Sequence, residues 1–250
     1  MDPEPSTRGR HAGEPLLLTG ERTTPGVAAE NYWFRRHEAA YRYAAARVRG
    51  SVLDVGCGEG YGAAILAEGA RVVAMELDPA TARHAAERYG SIAVARADAC
   101  RLPFRHASLD AVVAMQVLEH LRCPEAFVEQ AAGLLRAGGT LVLTTPNRET
   151  FSPEGARNPF HTHEYTSREV VALLRRSFGQ VDVLGVHPGI YLRSLDVLAA
   201  GSLQHRLMQT PFEELPSKLR TGIRLVRAGH FRIGRTEASL DLLAIASSPA

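Results

Sequence analysis

A strand that runs into a glycine-rich turn constrains this chain more than any other feature. Residues 52–55 are apolar except for Asp54, and glycine then occupies alternate positions from Gly56 to Gly62. Glycine adopts positive φ and lets a ligand approach the main chain, because it has no Cβ. A helix predicted from about residue 61 to 68 would direct its amide-rich N-terminus at the turn. The pattern predicts a ligand-binding strand-turn-helix unit of an α/β protein.

Two ligand classes use such a turn. Gly58, Gly60 and Ala63 fit the loose G-x-G-x-x-A pattern of dinucleotide-binding folds. Asp54 argues against a dinucleotide, since a carboxylate just before the first glycine would repel a pyrophosphate. The same carboxylate suits the cationic methionyl end of S-adenosylmethionine. The D-x-G-x-G-x-G form resembles motif I of class I methyltransferases, which implies that Asp54, Gly56 and Gly58 bind that cofactor.

Further carboxylates follow the next two predicted strands. Residues 71–76 end in Glu76, which in a doubly wound sheet lies beside the first turn and can accept hydrogen bonds from both ribose hydroxyls. NAD enzymes place an acidic residue at the same position. Glu76 therefore indicates an adenosine-containing cofactor and does not by itself indicate methyl transfer. Asp98 follows the third strand, where it either binds the adenine amino group or caps a turn. The resemblance places Leu77 and Ala99 at the cofactor beside these acids.

The rest of the chain continues the alternation of strands and helices. Residues 109–121 resemble motif IV of the same family, which implies that Gln116 contacts the cofactor, and residues 137–147 match the family's fifth strand. A further helix and strand reach residue 186, and residues 239–247 are apolar enough to close the sheet as an antiparallel strand. We therefore predict an α/β fold: a doubly wound, mostly parallel seven-stranded sheet with a helical insertion before the last strand.

The same pattern divides the chain into five parts. Residues 1–15 are polar, carry Gly and Pro and lack an apolar signal-peptide region, so we predict a disordered tail. Residues 16–50 are predicted to form N-terminal lid helices, 51–186 the S-adenosylmethionine-binding core and 239–250 the last core strand. Residues 187–238 have apolar residues at helical spacing, interrupted by Gly and Pro. We expect them to form a cap over the acceptor pocket, with a homodimer contact as the alternative.

Composition limits the partners and the compartment. No run of 18 apolar residues predicts a membrane span, and a formal charge of +2 does not favour a nucleic-acid partner. Cys57, Cys100 and Cys123 are odd in number and widely spaced, which predicts reduced thiols in a cytoplasmic enzyme. The absence of a C-x-x-C pair argues against zinc.

One arginine before the glycine-rich turn has a predicted role. Arg36 lies twenty residues before Gly56, within the block 30–37, which groups three aromatic residues and two arginines. The region is similar to quinone-pathway O-methyltransferases, and that resemblance implies that Arg36 binds the carboxylate of the cofactor. A guanidinium suits this task because it binds carboxylates in a bidentate geometry. The aromatic residues either cover the cofactor as a lid or pack on the sheet.

Glu119 and His120 are the predicted catalytic residues. Methyl transfer to an alcohol requires a nucleophile held in line with the sulfonium carbon and a base that removes its proton. The pair lies in the loop that faces the sulfonium in the family, so His120 is the predicted general base. Packing at the loop edge is the alternative for this histidine.

Metal binding is the alternative predicted role of Glu119 and His120. Metal-dependent RNA 3′-terminal 2′-O-methyltransferases carry E-x-x-E-H at this point and a histidine after strand five, which implies Glu119, His120 and His161 as ligands. Here Gln116 replaces the first carboxylate. Two imidazoles and one acid are a poor set for Mg²⁺ and a better one for Mn²⁺. We therefore favour a site that works without a metal.

Several phrases together resemble one narrower family, the actinobacterial methyltransferases encoded with the 6-O-methylglucose lipopolysaccharide pathway. These phrases are residues 19–23, 30–37, 56–62, 145–148, 151–153 and 158–161. The resemblance implies an S-adenosylmethionine-dependent O-methyltransferase that acts on a sugar hydroxyl in polysaccharide biosynthesis. An O-methyltransferase of RNA or of a small lipid or quinone is the alternative. An NAD-linked reductase or a nucleotide-binding regulator is the alternative of another class.

Overall fold

The computed structural model describes residues 23–152 and 158–247. The predicted tail, residues 16–22 of the predicted lid and residues 248–250 of the predicted last strand lie outside the described residues. The strands are β1 (Ser51–Val55), β2 (Arg71–Glu76), β3 (Ala93–Arg96), β4 (Leu109–Met115), β5 (Leu135–Pro146), β6 (Gln180–Pro188), β7 (Phe231–Gly234) and β8 (Asp241–Ser247). The α-helices are α1 (Asn31–Ala45), α2 (Tyr61–Ala67), α3 (Pro79–Arg88), α4 (Pro124–Leu134), α5 (Arg148–Phe151), α6 (Ser167–Leu174), α7 (Ile190–Leu198), α8 (Leu203–Gln209) and α9 (Ser217–Arg224).

The described strands form one sheet in the order β3-β2-β1-β4-β5-β8-β6-β7. The first five in this order pair in parallel, and β8 lies antiparallel between β5 and β6. The predicted doubly wound fold and its antiparallel last strand are confirmed. The sheet has eight strands rather than the predicted seven, because β7 pairs antiparallel with β6 at the edge. This four-residue strand lies inside the insertion, which the sequence predicts to be helical.

The central strands are buried on both faces, as their apolar sequences require. Alternate residues of β1 and β4 face two separate cores. Val52 and Val113 pack with α1 and the insertion, whereas Leu53 and Val112 pack with α4 and α6. This double covering leaves the carboxyl ends of the parallel strands as the edge at which a ligand can bind.

Helix α1 is the one helix that the structure describes between residues 23 and 50, where the sequence predicts several lid helices. Its inner face is part of the core, with Tyr32, Tyr41 and Ala44 buried. The ring of Tyr41 packs where Gly62 of α2 has no Cβ. The helix also carries His37 to the site, so it forms a wall of the site as well as part of the core.

The insertion packs on the same core. Leu219 and Ile223 of α9 are buried in the cluster that contains α1. The Asn31 side chain donates hydrogen bonds of 2.8 Å to the carbonyl of Ile223 and 3.1 Å to that of Val226. These contacts fix the insertion against the first turn of α1.

Within the described residues, we find no helix that is long and apolar enough to cross a membrane.

Candidate active site

A cavity of about 800 Å³ opens at the carboxyl ends of β1 to β4. Such an edge, next to the first strand of a doubly wound sheet, is the usual ligand position of this architecture. The wall combines the glycine-rich turn, the end of β2, the loop after β3 and the loop after β4. Among its lining residues are Gly56, Gly58, Glu76, Leu77, Asp98, Ala99, Gln116 and His120.

The glycine-rich turn requires its glycines. Gly56, Gly58 and Gly60 have φ angles of 68°, 53° and 102°, in the left-handed region that side chains disfavour. A Cβ on Gly56 would lie 2.6 Å from a methyl carbon of Val117. The turn therefore packs closely against the loop after β4, and Gly56 and Val117 both line the cavity.

Glu76 holds this turn from the next strand. One of its carboxylate oxygens accepts a hydrogen bond of 3.0 Å from the Gly58 amide, and the other accepts from the amides of Leu77 and Asp78. Each carboxylate oxygen has more than one acceptor site, so these bonds leave capacity for ligand hydroxyls. Glu76 thus fixes the turn and still lines the cavity.

A carboxylate and a disulfide organise the loop after β3. Asp98 lines the cavity and also accepts a hydrogen bond of 2.8 Å from the Cys100 amide, so it stabilises its own turn. Cys100 is joined to Cys123, with Cα atoms 5.8 Å apart. The prediction of three reduced thiols was wrong for this pair, and Cys57 is the free cysteine in the described residues. The three cysteines are far apart in sequence, so spacing could not show that two loops meet here.

A second cavity of about 320 Å³ adjoins the first. Four residues line both: Thr23, His37, Gln116 and His120. Burial lowers the pKa of His37 to about 4, so its ring is neutral at the boundary. The remaining wall of the second cavity mixes aromatic, apolar and polar side chains, including Trp33, Arg36, Glu119, Phe151, Asn158, His161, Leu207 and Met208.

Gln116 has an unusual backbone at this boundary. Its φ of 57° is uncommon for any residue but glycine, and such conformations concentrate at functional sites. Three hydrogen bonds to Thr144 hold it. Its backbone amide donates to the carbonyl at 3.0 Å and to the hydroxyl at 3.2 Å, and its side-chain amide donates to the hydroxyl at 3.1 Å. The end of β4 is thereby pinned to β5.

His120 has a defined orientation between the two cavities. Its Nδ1 lies 3.0 Å from the carbonyl oxygen of Phe160. Because a carbonyl can only accept a hydrogen bond, Nδ1 carries the proton. The Nε2 atom of the neutral ring then keeps its lone pair, which is the form that a general base requires.

Glu119 and His161 lie next to His120. Burial raises the pKa of Glu119 to about 8 and lowers the pKa of His161. Nδ1 of His161 lies 3.1 Å from a carboxylate oxygen of Glu164, and its ring stacks on Phe151. The three predicted metal ligands are thus brought together, with one ligand atom from each within 4.8 Å of the others. A metal ion at this cluster stays a prediction.

Comparison with known proteins identifies the family. A methyltransferase-domain family model matches residues 53–143. A "probable S-adenosylmethionine-dependent methyltransferase" of Mycolicibacterium smegmatis is 42% identical over 246 residues, which cover 94% of this chain and 96% of the relative. This chain belongs to the S-adenosylmethionine-dependent methyltransferases. The predicted cofactor is therefore correct, and the readings as an NAD-linked reductase or a non-catalytic regulator are excluded.

Two further matches are partial or distant. A ubiquinone biosynthesis O-methyltransferase of Xanthomonas campestris is 38% identical over 121 residues, 42% of this methyltransferase and 48% of the relative. A possible histamine N-methyltransferase of Thermotoga maritima has a TM-score of 0.61 at 16% identity, covering 87% of this chain and 93% of its own. The match to the Thermotoga maritima structure shows that the two proteins share a fold.

Two predicted cofactor residues of this methyltransferase lie elsewhere. Asp54 is fully buried and does not line the large cavity. It accepts a hydrogen bond of 3.1 Å from the hydroxyl of Tyr41, which does line it. Burial raises the pKa of Asp54 to about 8. The carboxyl of Asp54 therefore lies behind the cavity wall, and Tyr41 lines the cavity in front of it.

Arg36 has partners other than the predicted cofactor carboxylate. It borders the second cavity, not the first, and is 1% exposed. Its guanidinium donates to both carboxylate oxygens of Asp241, to Gln204 at 2.7 Å and to the Leu240 carbonyl at 3.1 Å. All of these partners are distant in sequence, so spacing to the glycine-rich turn could not reveal them.

Sequence reasoning missed several residues of the site. Thr23, His37 and Tyr41 line the large cavity, and Thr23 donates to or accepts from the Tyr61 hydroxyl at 2.9 Å. A signal existed for His37, which ends the aromatic block that begins at residue 30. Leu207 of α8 lines the second cavity and gives no such signal, because only folding brings the insertion to the site.

Proposed function

We propose that this chain is an O-methyltransferase that methylates a sugar hydroxyl in bacterial polysaccharide biosynthesis. The observation that carries the proposal is His120, which borders both cavities and whose hydrogen bond to Phe160 leaves Nε2 unprotonated in the neutral ring. An acceptor bound in the second cavity would present its hydroxyl to this nitrogen. A thiol or amine acceptor would need such a base less, because both are better nucleophiles than an alcohol.

The residues of the large cavity suit the cofactor. Glu76 would accept hydrogen bonds from the ribose hydroxyls, and Asp98 and Ala99 would contact the adenine. The glycine-rich turn would let the cofactor approach the main chain closely. S-adenosylmethionine supplies an electrophilic methyl group on its sulfonium. Gln116 and His37, which line both cavities, would shape the boundary at which this group meets the acceptor. His120 removes the hydroxyl proton as the oxygen attacks.

A sugar fits the lining of the second cavity. Trp33 and Phe151 offer aromatic surface for the C–H faces of a sugar ring, and Asn158 and Glu119 offer hydrogen-bonding atoms for its hydroxyls. The volume is at the lower end of the range for small-molecule sites, which favours one or two rings over a folded polymer. The resemblance of six sequence phrases to the methylated-polysaccharide family supports the same acceptor class.

A metal-assisted mechanism is the second candidate, favoured by the grouping of Glu119, His120 and His161. Nδ1 of each histidine has a protein partner, which leaves Nε2 as the ligand atom, and a carboxylate oxygen of Glu119 lies within 4.8 Å of a ligand atom of each histidine. A bound Mn²⁺ or Mg²⁺ would acidify the acceptor hydroxyl. We favour catalysis by the histidine base, since Gln116 stands where a hard cation would require a carboxylate.

One assay separates these readings. Transfer of a labelled methyl group is measured with a glucan oligosaccharide, a short RNA and a hydroquinone, each with and without a chelator. We expect methylation of the oligosaccharide that persists in chelator. Loss with chelator and recovery with Mn²⁺ would favour the metal mechanism. Methylation of the RNA or the hydroquinone alone would overturn the sugar assignment.

A further inference from the structure

The disulfide between Cys100 and Cys123 joins two loops that both line the large cavity. Residues 98–100 line it from the loop after β3, and residues 121–122 line it from the loop before α4. The two cysteines are 23 residues apart in the chain, so the S–S bond is a long-range link. It ties together two parts of the cavity wall that local sequence does not hold together.

Hydrogen bonds hold each loop to the fold independently of the disulfide. The Gln130 side chain of α4 donates at 2.9 Å to the Cys100 carbonyl and accepts at 2.9 Å from the Leu102 amide. In the other loop, the Leu121 carbonyl accepts a hydrogen bond of 2.8 Å from the Thr162 hydroxyl. Breaking the S–S bond therefore removes the direct link between the loops while each loop keeps its other contacts.

The position of the pair suits thiol–disulfide exchange. Cys100 and Cys123 are both partly exposed, whereas the free Cys57 is buried. Cys123 is the N-cap of α4, where the helix dipole stabilises a thiolate and makes it a better leaving group. Attack by a dithiol breaks the S–S bond in two exchange steps. The protein gains two electrons and two protons, and the dithiol becomes a disulfide.

A covalent link within the wall of a binding site changes the free energy of binding. The linked wall has fewer conformations to lose when a ligand orders it, so the oxidised form should bind a ligand more tightly. We propose that Cys100 and Cys123 form a redox switch that sets the affinity for S-adenosylmethionine, with the disulfide as the high-affinity form. Because binding linkage is reciprocal, the cofactor makes the disulfide harder to reduce by the same factor. The inference goes beyond the proposed function, since it holds for any methyl acceptor.

The affinity for S-adenosylhomocysteine is measured by calorimetry after incubation with oxidised glutathione and after incubation with dithiothreitol. Alkylation of the unfolded protein, followed by mass spectrometry, counts the free thiols in each sample. The count should be one in the oxidised form, from Cys57, and three in the reduced form. The double variant Cys100→Ser, Cys123→Ser is the control, because it retains Cys57 and cannot form the link.

We expect the oxidised parent to bind S-adenosylhomocysteine about threefold to thirtyfold more tightly than the reduced parent. The double variant should bind like the reduced parent under both conditions. Saturation with S-adenosylhomocysteine should lower the midpoint potential of the cysteine pair, by about 30 mV for a tenfold difference in affinity. Circular dichroism should show the same folded state in all samples.

Equal affinities of the oxidised and the reduced parent, with thiol counts that verify both states, would overturn the inference and leave the disulfide a structural link. Three free thiols after incubation with oxidised glutathione would also overturn it. The same holds for unfolding of the reduced parent or of the double variant, and for a double variant that responds to dithiothreitol as the parent does. None of these measurements involves methyl transfer, so failure of the sugar assignment would not affect their outcome.

Discussion

At the scale of single residues, the sequence predicted which side chains line the large cavity where their position depends only on their distance from the end of a strand. Seven of the nine predicted cofactor residues line the large cavity, because each follows a strand whose carboxyl end lies at one edge of the sheet. Asp54 and Arg36 do not line it. Their sites depend on Tyr41 and Asp241, side chains that the chain brings in from another element. Strand order can be inferred from a motif, but the side-chain packing behind the strand cannot.

His120 gives the first prediction at this scale. His120→Ala should leave the affinity for S-adenosylhomocysteine unchanged and lower kcat about a hundredfold to ten-thousandfold, since the variant has no base at the acceptor hydroxyl. Calorimetry and initial rates measure the two quantities. Turnover within a few-fold of the parent would show that His120 only packs against the loop at Phe160.

Asp54 predicts a pH dependence of stability. Burial raises its pKa to about 8, whereas an unfolded chain has an Asp pKa of about 3.9. Between these values the folded state binds more protons than the unfolded state. Asp54 therefore lowers the free energy of unfolding as pH rises from about 4 to about 8, by up to about 1.4 kcal/mol per pH unit.

Asp54→Asn keeps the shape of the side chain and removes the titration. Urea unfolding of the cofactor-free protein at pH 5, 6.5 and 8 should show a smaller loss of stability with rising pH in the variant than in the parent. Parallel curves for the two proteins would contradict a protonated, buried Asp54.

At the scale of elements, the sequence predicted the long strands and helices with a regular apolar pattern. It did not predict the short strand β7 or the element against which α1 packs. The parallel strands and the antiparallel β8 appear where the apolar runs place them. The four residues of β7 are too few to show an alternating pattern, and they become a strand only because the edge of β6 offers unpaired backbone groups. Helix α1 likewise shows its apolar face in the sequence, but not that the face packs on α2.

Gly62 gives the prediction at this scale. Gly62→Ala should lower the free energy of unfolding by about 1 to 3 kcal/mol, because the new methyl group would overlap the Tyr41 ring and force α1 away from α2. The higher helix propensity of alanine offsets part of the loss. Gly90→Ala is a control for the added methyl group alone, since Gly90 lies in an exposed turn and a Cβ there meets nothing within 4 Å. Similar denaturation midpoints for Gly62→Ala and the parent would show that the two helices separate without cost.

At the scale of the whole molecule, the site is assembled from parts that are far apart in sequence. The glycine-rich turn supplies part of the wall of the large cavity, and α1, α8 and the loop around His161 line the second cavity. One buried group joins several of these parts. Arg36 on α1 bonds Asp241 at the start of β8 and Gln204 on α8. The contact thus ties the insertion to α1 and to β8, next to the second cavity that Arg36 lines.

The Arg36–Asp241 pair gives the last prediction. Asp241→Leu leaves a buried guanidinium without its counter-ion, which costs about 3 to 5 kcal/mol of stability, whereas replacing both members with apolar residues is often neutral or stabilising. We therefore expect Asp241→Leu to unfold at much lower urea concentration than the double variant Arg36→Met, Asp241→Leu. Because Arg36 also holds Gln204, the double variant should keep the affinity for S-adenosylhomocysteine but raise the KM of the acceptor. Equal stability of the single and double variants would show that the pair is not coupled, and an unchanged KM would show that the acceptor cavity does not depend on it.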